Sequence, residues 1–573
     1  MPLETLLDVP RASFLGLPLE IRQQIYSEYF TTEGGYIYDV ETDKLVQANR
    51  CPIDLSLRHV CRTIALETYH CPFTLNNITF STAYRRDWRK QAAAVDFIST
   101  YHHFLQLSML IRLRHCLTSD MYEQPIKQYS KYMPLIVKGI ADIISRERRS
   151  PKFNAELLEM VHIRDFMERP GSDSKAGNPL AISIYDNNVS RNRTYAYLLR
   201  KIANQYPEKF KEAIDKFLPG WTDCKPRPAS DFFSLGFDLW AIPSLPQVTA
   251  MVEQLQLTER WDRLDQWHYS EVGKEGFSGT KYCYQRKHFF SAAALAIRFL
   301  NNISQAQRLF INNLILNEDR MAVGHPECHI IGMIPFVEEN PSLLIKHKVN
   351  LWRNILPRSA KIEVSSFPTT NESNVDLPES VPSPHQVFSN WAGKEISHFI
   401  MHTMEALREG LPATSYSFVF DGEPDSNHST ETFKYLMELP IAWITNHTDC
   451  VAEGLLASPE SSGYPFMTVP SSDEHISGRE RTSIIECNFT LDQPWDYKHI
   501  AGNDNRNINR WKTLDKVHRF ANETDGEYAD KLDVSNGIVD WMKIKGEYFE
   551  MKLLSDVPGA ATKALDSSGS LSE

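Results

Sequence analysis

After residue 288 the chain repeats one local order: a helical pattern, a proline or polar turn, then a strand pattern. A helix over Phe289–Leu300 leads into the apolar run Leu309-Phe310-Ile311-Asn312-Asn313-Leu314-Ile315-Leu316. A helix over Glu395–Arg408 leads through Leu411-Pro412 to Tyr416, Phe418 and Phe420, which alternate strictly up to Asp421-Gly422. A third helix, Glu431–Leu439, is stopped by Pro440 and precedes a strand pattern at Thr482–Phe489. That order lays helices against a sheet. Its spacing is uneven, which excludes a regular solenoid.

The region from 88 to 287 reads differently. Val95, Ile98, Tyr101 and Leu105 form one helical stripe, and Ile136, Ile140, Ile143 and Ile144 form another. A helix capped by Asn154 runs through Val161, a strand fits Ala181–Tyr185, and Pro207 opens a turn carrying Phe210, Ala213, Ile214 and Phe217. Val248, Met251, Val252 and Leu255 mark a further helix. The alanine runs 92–94 and 292–294 suit close helix packing, and the basic runs Arg85–Lys90 and Arg146–Arg149 read as solvated helix ends. The expected fold class is α+β, mainly helical. It comprises an N-terminal module at 14–85, a helical region at 88–287 and a mixed α/β region at 288–550. Residues 358–388, 457–480 and 555–573 are polar and read as disordered.

Composition narrows the function classes. Apolar residues are 42% of 573, enough for a large core, and the net charge of −12 disfavours nucleic acid or an anionic membrane as partner. Nine cysteines stand singly with no C-x-x-C, as reduced thiols do. Met1-Pro2-Leu3-Glu4 lacks the basic start of a signal peptide, so the expected location is cytoplasmic or nuclear. Signatures of phosphate loops, dinucleotide loops, zinc proteases and nucleophile elbows are missing, so no catalytic residue and no cofactor is assigned. One group suits a metal. His325, Cys328 and His329 sit at i, i+3 and i+4, within reach of zinc on one helix face. No second half of a zinc signature accompanies them, and ordinary packing is the simpler reading.

The N-terminus is the most specific stretch. Leu17, Ile21 and Ile25 recur every four residues on one helix over 14–30, with Pro18 and Glu20 placed for its first turn and Gly34-Gly35 ending it. A hairpin fits Tyr36–Val40 and Leu45–Gln47, a second helix Leu55–Tyr69, and a strand Ile78–Thr82. The words Leu17-Pro18-Leu19-Glu20-Ile21 and Val60-Cys61-Arg62, with Ala65, resemble the F-box. The block is more similar still to F-box-like modules of filamentous fungi. Those read Leu-Pro-x-Glu-Ile-Arg-x-x-Ile-Tyr, then Cys-Arg-x-Ile-x-x-Glu, then Asn-x-x-Thr-Phe. They are matched here by Leu17–Tyr26, by Cys61-Arg62-Thr63-Ile64 with Glu67, and by Asn76–Phe80. The stretches Ala292–Asp319 and His325–Asn354 resemble the body of one such family.

The resemblance implies a non-enzymatic subunit of a cullin-type ubiquitin ligase. It would bind a Skp-type adaptor through Leu17, Pro18, Ile21, Ile25, Val60 and Cys61 and capture a substrate protein with the remainder. One departure matters. Thr31 to Pro52 separate two halves that are nearly contiguous in an F-box. The alternatives are a scaffold that keeps the module without the adaptor contact, and a metal protein centred on His325, Cys328 and His329. Burial of Leu17, Ile21 and Ile25 beneath residues 88–150 would count against docking.

Overall fold

The computed structural model describes residues 13–123, 133–150, 189–221, 229–258, 261, 267–269, 282–359, 386–437, 484–490, 531–534 and 539–553. The expected helix at 154–161, the strand at 181–185, the segments 457–480 and 555–573, and most of 358–388 lie outside these residues.

A 3-10 turn at Phe14–Gly16 enters helix α1, Leu19–Phe30, with Pro18 at its cap. The helix ends at Phe30, ahead of the two glycines. Gly35 has a φ of +69°, and a Cβ there would stand 2.4 Å from the Asn77 carbonyl oxygen. Glycine is needed there so that Tyr36 N–H can reach that oxygen at 2.8 Å. Strands β1 (Tyr36–Asp39) and β2 (Lys44–Gln47) form the expected hairpin. The single helix expected over Leu55–Tyr69 is two pieces, a 3-10 turn Ser56–His59 and helix α2, Arg62–Glu67. Cys61 between them is extended, at φ −161°, and the break turns α2 back toward α1. Strand β3 is Ile78–Ser81.

The helical body contains α3 (Arg89–Arg112), α4 (Met133–Arg149), α5 (Val189–Gln205), α6 (Pro207–Phe217) and α7 (Leu245–Gln254). Its core joins Ile98, Leu105, Leu198, Ile202, Phe210 and Val248. Arg89, expected on a solvated end, is buried and donates to the Arg286 carbonyl at 3.3 Å. Both alanine runs are buried, as close packing requires.

Beyond it come β4 (His268–Tyr269), β5 (Tyr282–Arg286), helix α8 (Ala292–Asn302), β6 (Asn313–Glu318), a 3-10 helix (Pro326–Met333) and β7 (Leu344–Asn350). They are followed by β8 (Gln386–Phe388), helix α9 (Ser389–Arg408), β9 (Tyr416–Asp421), helix α10 (426–437), β10 (Ile485–Cys487), β11 (Lys531–Asp533) and β12 (Phe549–Leu553). The main sheet has seven strands in the order β10-β9-β7-β6-β3-β1-β2. Every neighbouring pair is parallel except the β1–β2 hairpin at one edge. Parallel strands are covered on both faces, and Ile78, Phe80, Leu314, Leu316, Ile345 and Phe418 are all buried in one core. Strands β4, β5 and β12 make a small antiparallel sheet, and β8 pairs with β11.

The N-terminal module is therefore tied into the C-terminal half. β3 pairs with β6 across the boundary expected at residues 85–88, and the hairpin in the 31–52 insertion extends the same sheet. The insertion does not loop away; it anchors the module.

Candidate functional site

Helix α1 carries two apolar stripes, and they face opposite ways. Tyr26 and Phe30 are buried with Ile64 and Cys71 in a small separate core. At about 100° per residue, positions 21 and 25 project about 140° away from 26 and 30. Ile21 is 41% exposed and Ile25 39%. Among the described residues thirteen large apolar side chains are exposed. Eight of them lie between Leu15 and Tyr69, so the apolar surface is concentrated on this module.

The inward stripe is held by a polar clamp. Arg22 donates to both carboxylate oxygens of Glu67, at 3.0 and 2.6 Å, and Tyr26 Oη donates to the same carboxylate at 2.7 Å. The Arg22 hydrogen bond, with that of Tyr26, holds the Glu67 carboxyl below its usual range. Asn76 closes the other end. Its Oδ1 accepts from Thr32 N–H at 2.8 Å, and its Nδ2 donates to the carbonyls of Phe30 and Pro72. Those carbonyls would otherwise be orphaned at a helix end. Arg22, Tyr26, Ile64, Glu67 and Asn76, all within the motif, build the module from inside. The predicted ridge lies outside it. Pro18, Ile21, Ile25 and Val60 are exposed, and Leu17 and Cys61 are half-buried. The described residues among 88–150 leave the ridge uncovered.

A second polar group lies between the 3-10 helix and α9. A 3-10 helix has three residues per turn, so the expected face through His325, Cys328 and His329 does not form. Both nitrogens of His329 are engaged elsewhere, with Ser291 Oγ at 2.6 Å and the Gly324 carbonyl at 2.6 Å. Burial drives its pKa down to about 4, so the ring is neutral. Ser291 in turn accepts from Ala294 N–H and caps α8. This buried serine–histidine pair is a structural joint. Cys328 meets a residue 74 positions on, His402 of α9, with Sγ 3.5 Å from Nδ1. Around them Glu327, Glu395, Glu405 and Arg358 are also buried. Arg358 Nη1 stands 3.4 Å from both Glu327 and Glu395. Burial opposes ionisation of Glu327. The His325 hydrogen bond and the positive charge of Arg358 outweigh it and hold the carboxyl well below the usual range.

No family model, curated protein or solved structure matches this chain. No described helix is long and apolar enough to cross a membrane. The described residues thus present two candidate sites, an outward apolar ridge and a buried Cys/His/Glu group.

Near the second group, Glu318 ends β6 and accepts from Ala292 and Ala293 N–H, each at 3.1 Å. His347 lies 3.9 Å away, but burial drives its pKa down to about 3, so the contact is not an ion pair. Burial raises the Glu318 carboxyl to about 7, against the two N–H groups that lower it. A raised carboxyl stabilises the fold fully below its unfolded value near 4.5, and this contribution is lost as pH rises through about 7. Glu318→Gln should therefore gain stability relative to wild type between pH 5 and pH 8, by up to about 3 kcal/mol. Urea unfolding at both pH values measures it. A pH-independent difference would mean that the helix N–H groups keep Glu318 ionised throughout.

Proposed function

We propose that the chain is a non-enzymatic interaction protein that docks a Skp-type adaptor of a cullin-type ubiquitin ligase through residues 14–67. One observation carries this reading: Ile21, Ile25 and Val60 are exposed while Tyr26, Phe30 and Ile64 pack inward. A motif whose inner residues suffice to build the module has no folding need for an outer apolar ridge. Ridges of this kind are what helix-in-groove recognition uses. The remaining chain, with its continuous sheet, would present the substrate surface.

The scaffold reading draws on a different observation, the β3–β6 pairing that fixes the module to the body. Co-purification separates the two. Val60 is 65% exposed, so Val60→Asp should leave the melting temperature unchanged. It should also remove a Skp-type adaptor that co-purifies with wild type. Absence of the adaptor from a wild-type preparation that co-expresses it would favour the scaffold.

A further inference from the structure

The structure assigns a buried transition-metal site, suited to zinc, to Glu327, Cys328 and His402, where the 3-10 helix packs on α9. One ligand atom from each of the three lies within 4.8 Å of the other two, and all three residues are buried. A tetrahedral zinc with bonds of about 2.3 Å to sulfur and about 2.0 Å to nitrogen holds those two ligands about 3.5 Å apart. Cys328 Sγ and His402 Nδ1 stand 3.5 Å apart. Thiolate and imidazole favour zinc over calcium or magnesium, which take oxygen.

One further observation points to a cation. His325 is 2% exposed, and its Nδ1 stands 3.3 Å from Glu327. Its Nε2 meets no hydrogen-bond partner among the described residues. A buried imidazole nitrogen left unpaired is costly. Glu327 and Glu395 are both buried, each 3.4 Å from Arg358 Nη1. Glu405 Oε2 stands 2.9 Å from His402 Nδ1, a hydrogen bond that this nitrogen exchanges for the metal bond. On uptake Cys328 exchanges its S–H bond for a sulfur–metal bond and the proton leaves to solvent, so binding weakens as pH falls.

The site is independent of the adaptor reading. The test uses the full-length chain, purified and dialysed with and without chelator. Zinc is counted by mass spectrometry, and cobalt(II) is then titrated into the apo protein. The expected result is one zinc per chain, a lower melting temperature after chelation, and a thiolate-to-cobalt charge-transfer band. Cys328→Ser and His402→Gln should each abolish the band, while Cys51→Ser, at an exposed and remote cysteine, keeps it. Should either site variant fail to fold, the titration of folded wild type still decides. Folded wild type that retains no zinc and gives no cobalt band overturns the proposal, as does a band that survives Cys328→Ser.

Discussion

Trp352→Ala is expected to destabilise the chain by about 3–5 kcal/mol, the cost of truncating a fully buried large aromatic. Trp352 lies just past the end of β7, in a turn of π-helix, and is fully buried in the core of the main sheet. Its ring stacks on His428 with centroids 5.2 Å apart, and Nε1 donates to Ser429 Oγ at 2.7 Å. That hydroxyl in turn donates to the Gly422 carbonyl. The indole thereby joins β7 to the turn after β9 and to α10. Truncation leaves both a cavity and a hydroxyl whose remaining lone pairs have lost their donor. Equilibrium urea unfolding measures the loss. A cost below about 1 kcal/mol would mean that the neighbouring side chains collapse into the space.

The second large effect separates the two faces of α1. Tyr26→Ala should cost about 3–5 kcal/mol on packing grounds, since Tyr26 is 1% exposed and lies in the small core with Phe30 and Ile64. Ile21→Ala, five residues earlier, should stay within about 0.5 kcal/mol, the range of surface substitutions. Urea unfolding of both, followed by a probe within residues 14–82, reads the contrast. Equal losses would contradict the assignment of inward and outward faces.

The same pair shows how far the sequence could be read. The repeat of Leu17, Ile21 and Ile25 is real, but Arg22, Tyr26 and Phe30 repeat at the same spacing. An arginine in the second stripe makes it look solvated. Its burial depends on Glu67, a carboxylate 45 residues away, and no local pattern reports that partner. The hairpin at 36–47 was legible from its own residues. Its parallel neighbour β3 was legible as a strand, though not as the hairpin's partner. The β3–β6 pairing joins segments some 236 residues apart, beyond any periodicity.

The metal group failed for a geometric reason. Spacing of i, i+3 and i+4 assumes 3.6 residues per turn. The 3-10 helix tightens that to three, and His329 turns away to Ser291. The donor that replaces it, His402, sits on α9 behind a long polar segment. One signal was present: Glu395, His398, His402 and Glu405 recur at i, i+3, i+7 and i+10 within a helix otherwise rich in apolar residues. All four are buried. A charged stripe of helical period usually marks a solvated face, and here it marks an internal polar seam.

The central claim is that the outer ridge of the N-terminal module exists to be bound. Its most direct test titrates the purified full-length chain with a purified Skp-type adaptor, using wild type and Ile21→Asp combined with Ile25→Asp. The account predicts saturable binding to wild type and at least roughly 30-fold weaker binding to the variant, the loss typical of removing an interface anchor, with an unchanged melting temperature. Equal binding by both proteins, no binding by wild type, or a variant that melts early would contradict it.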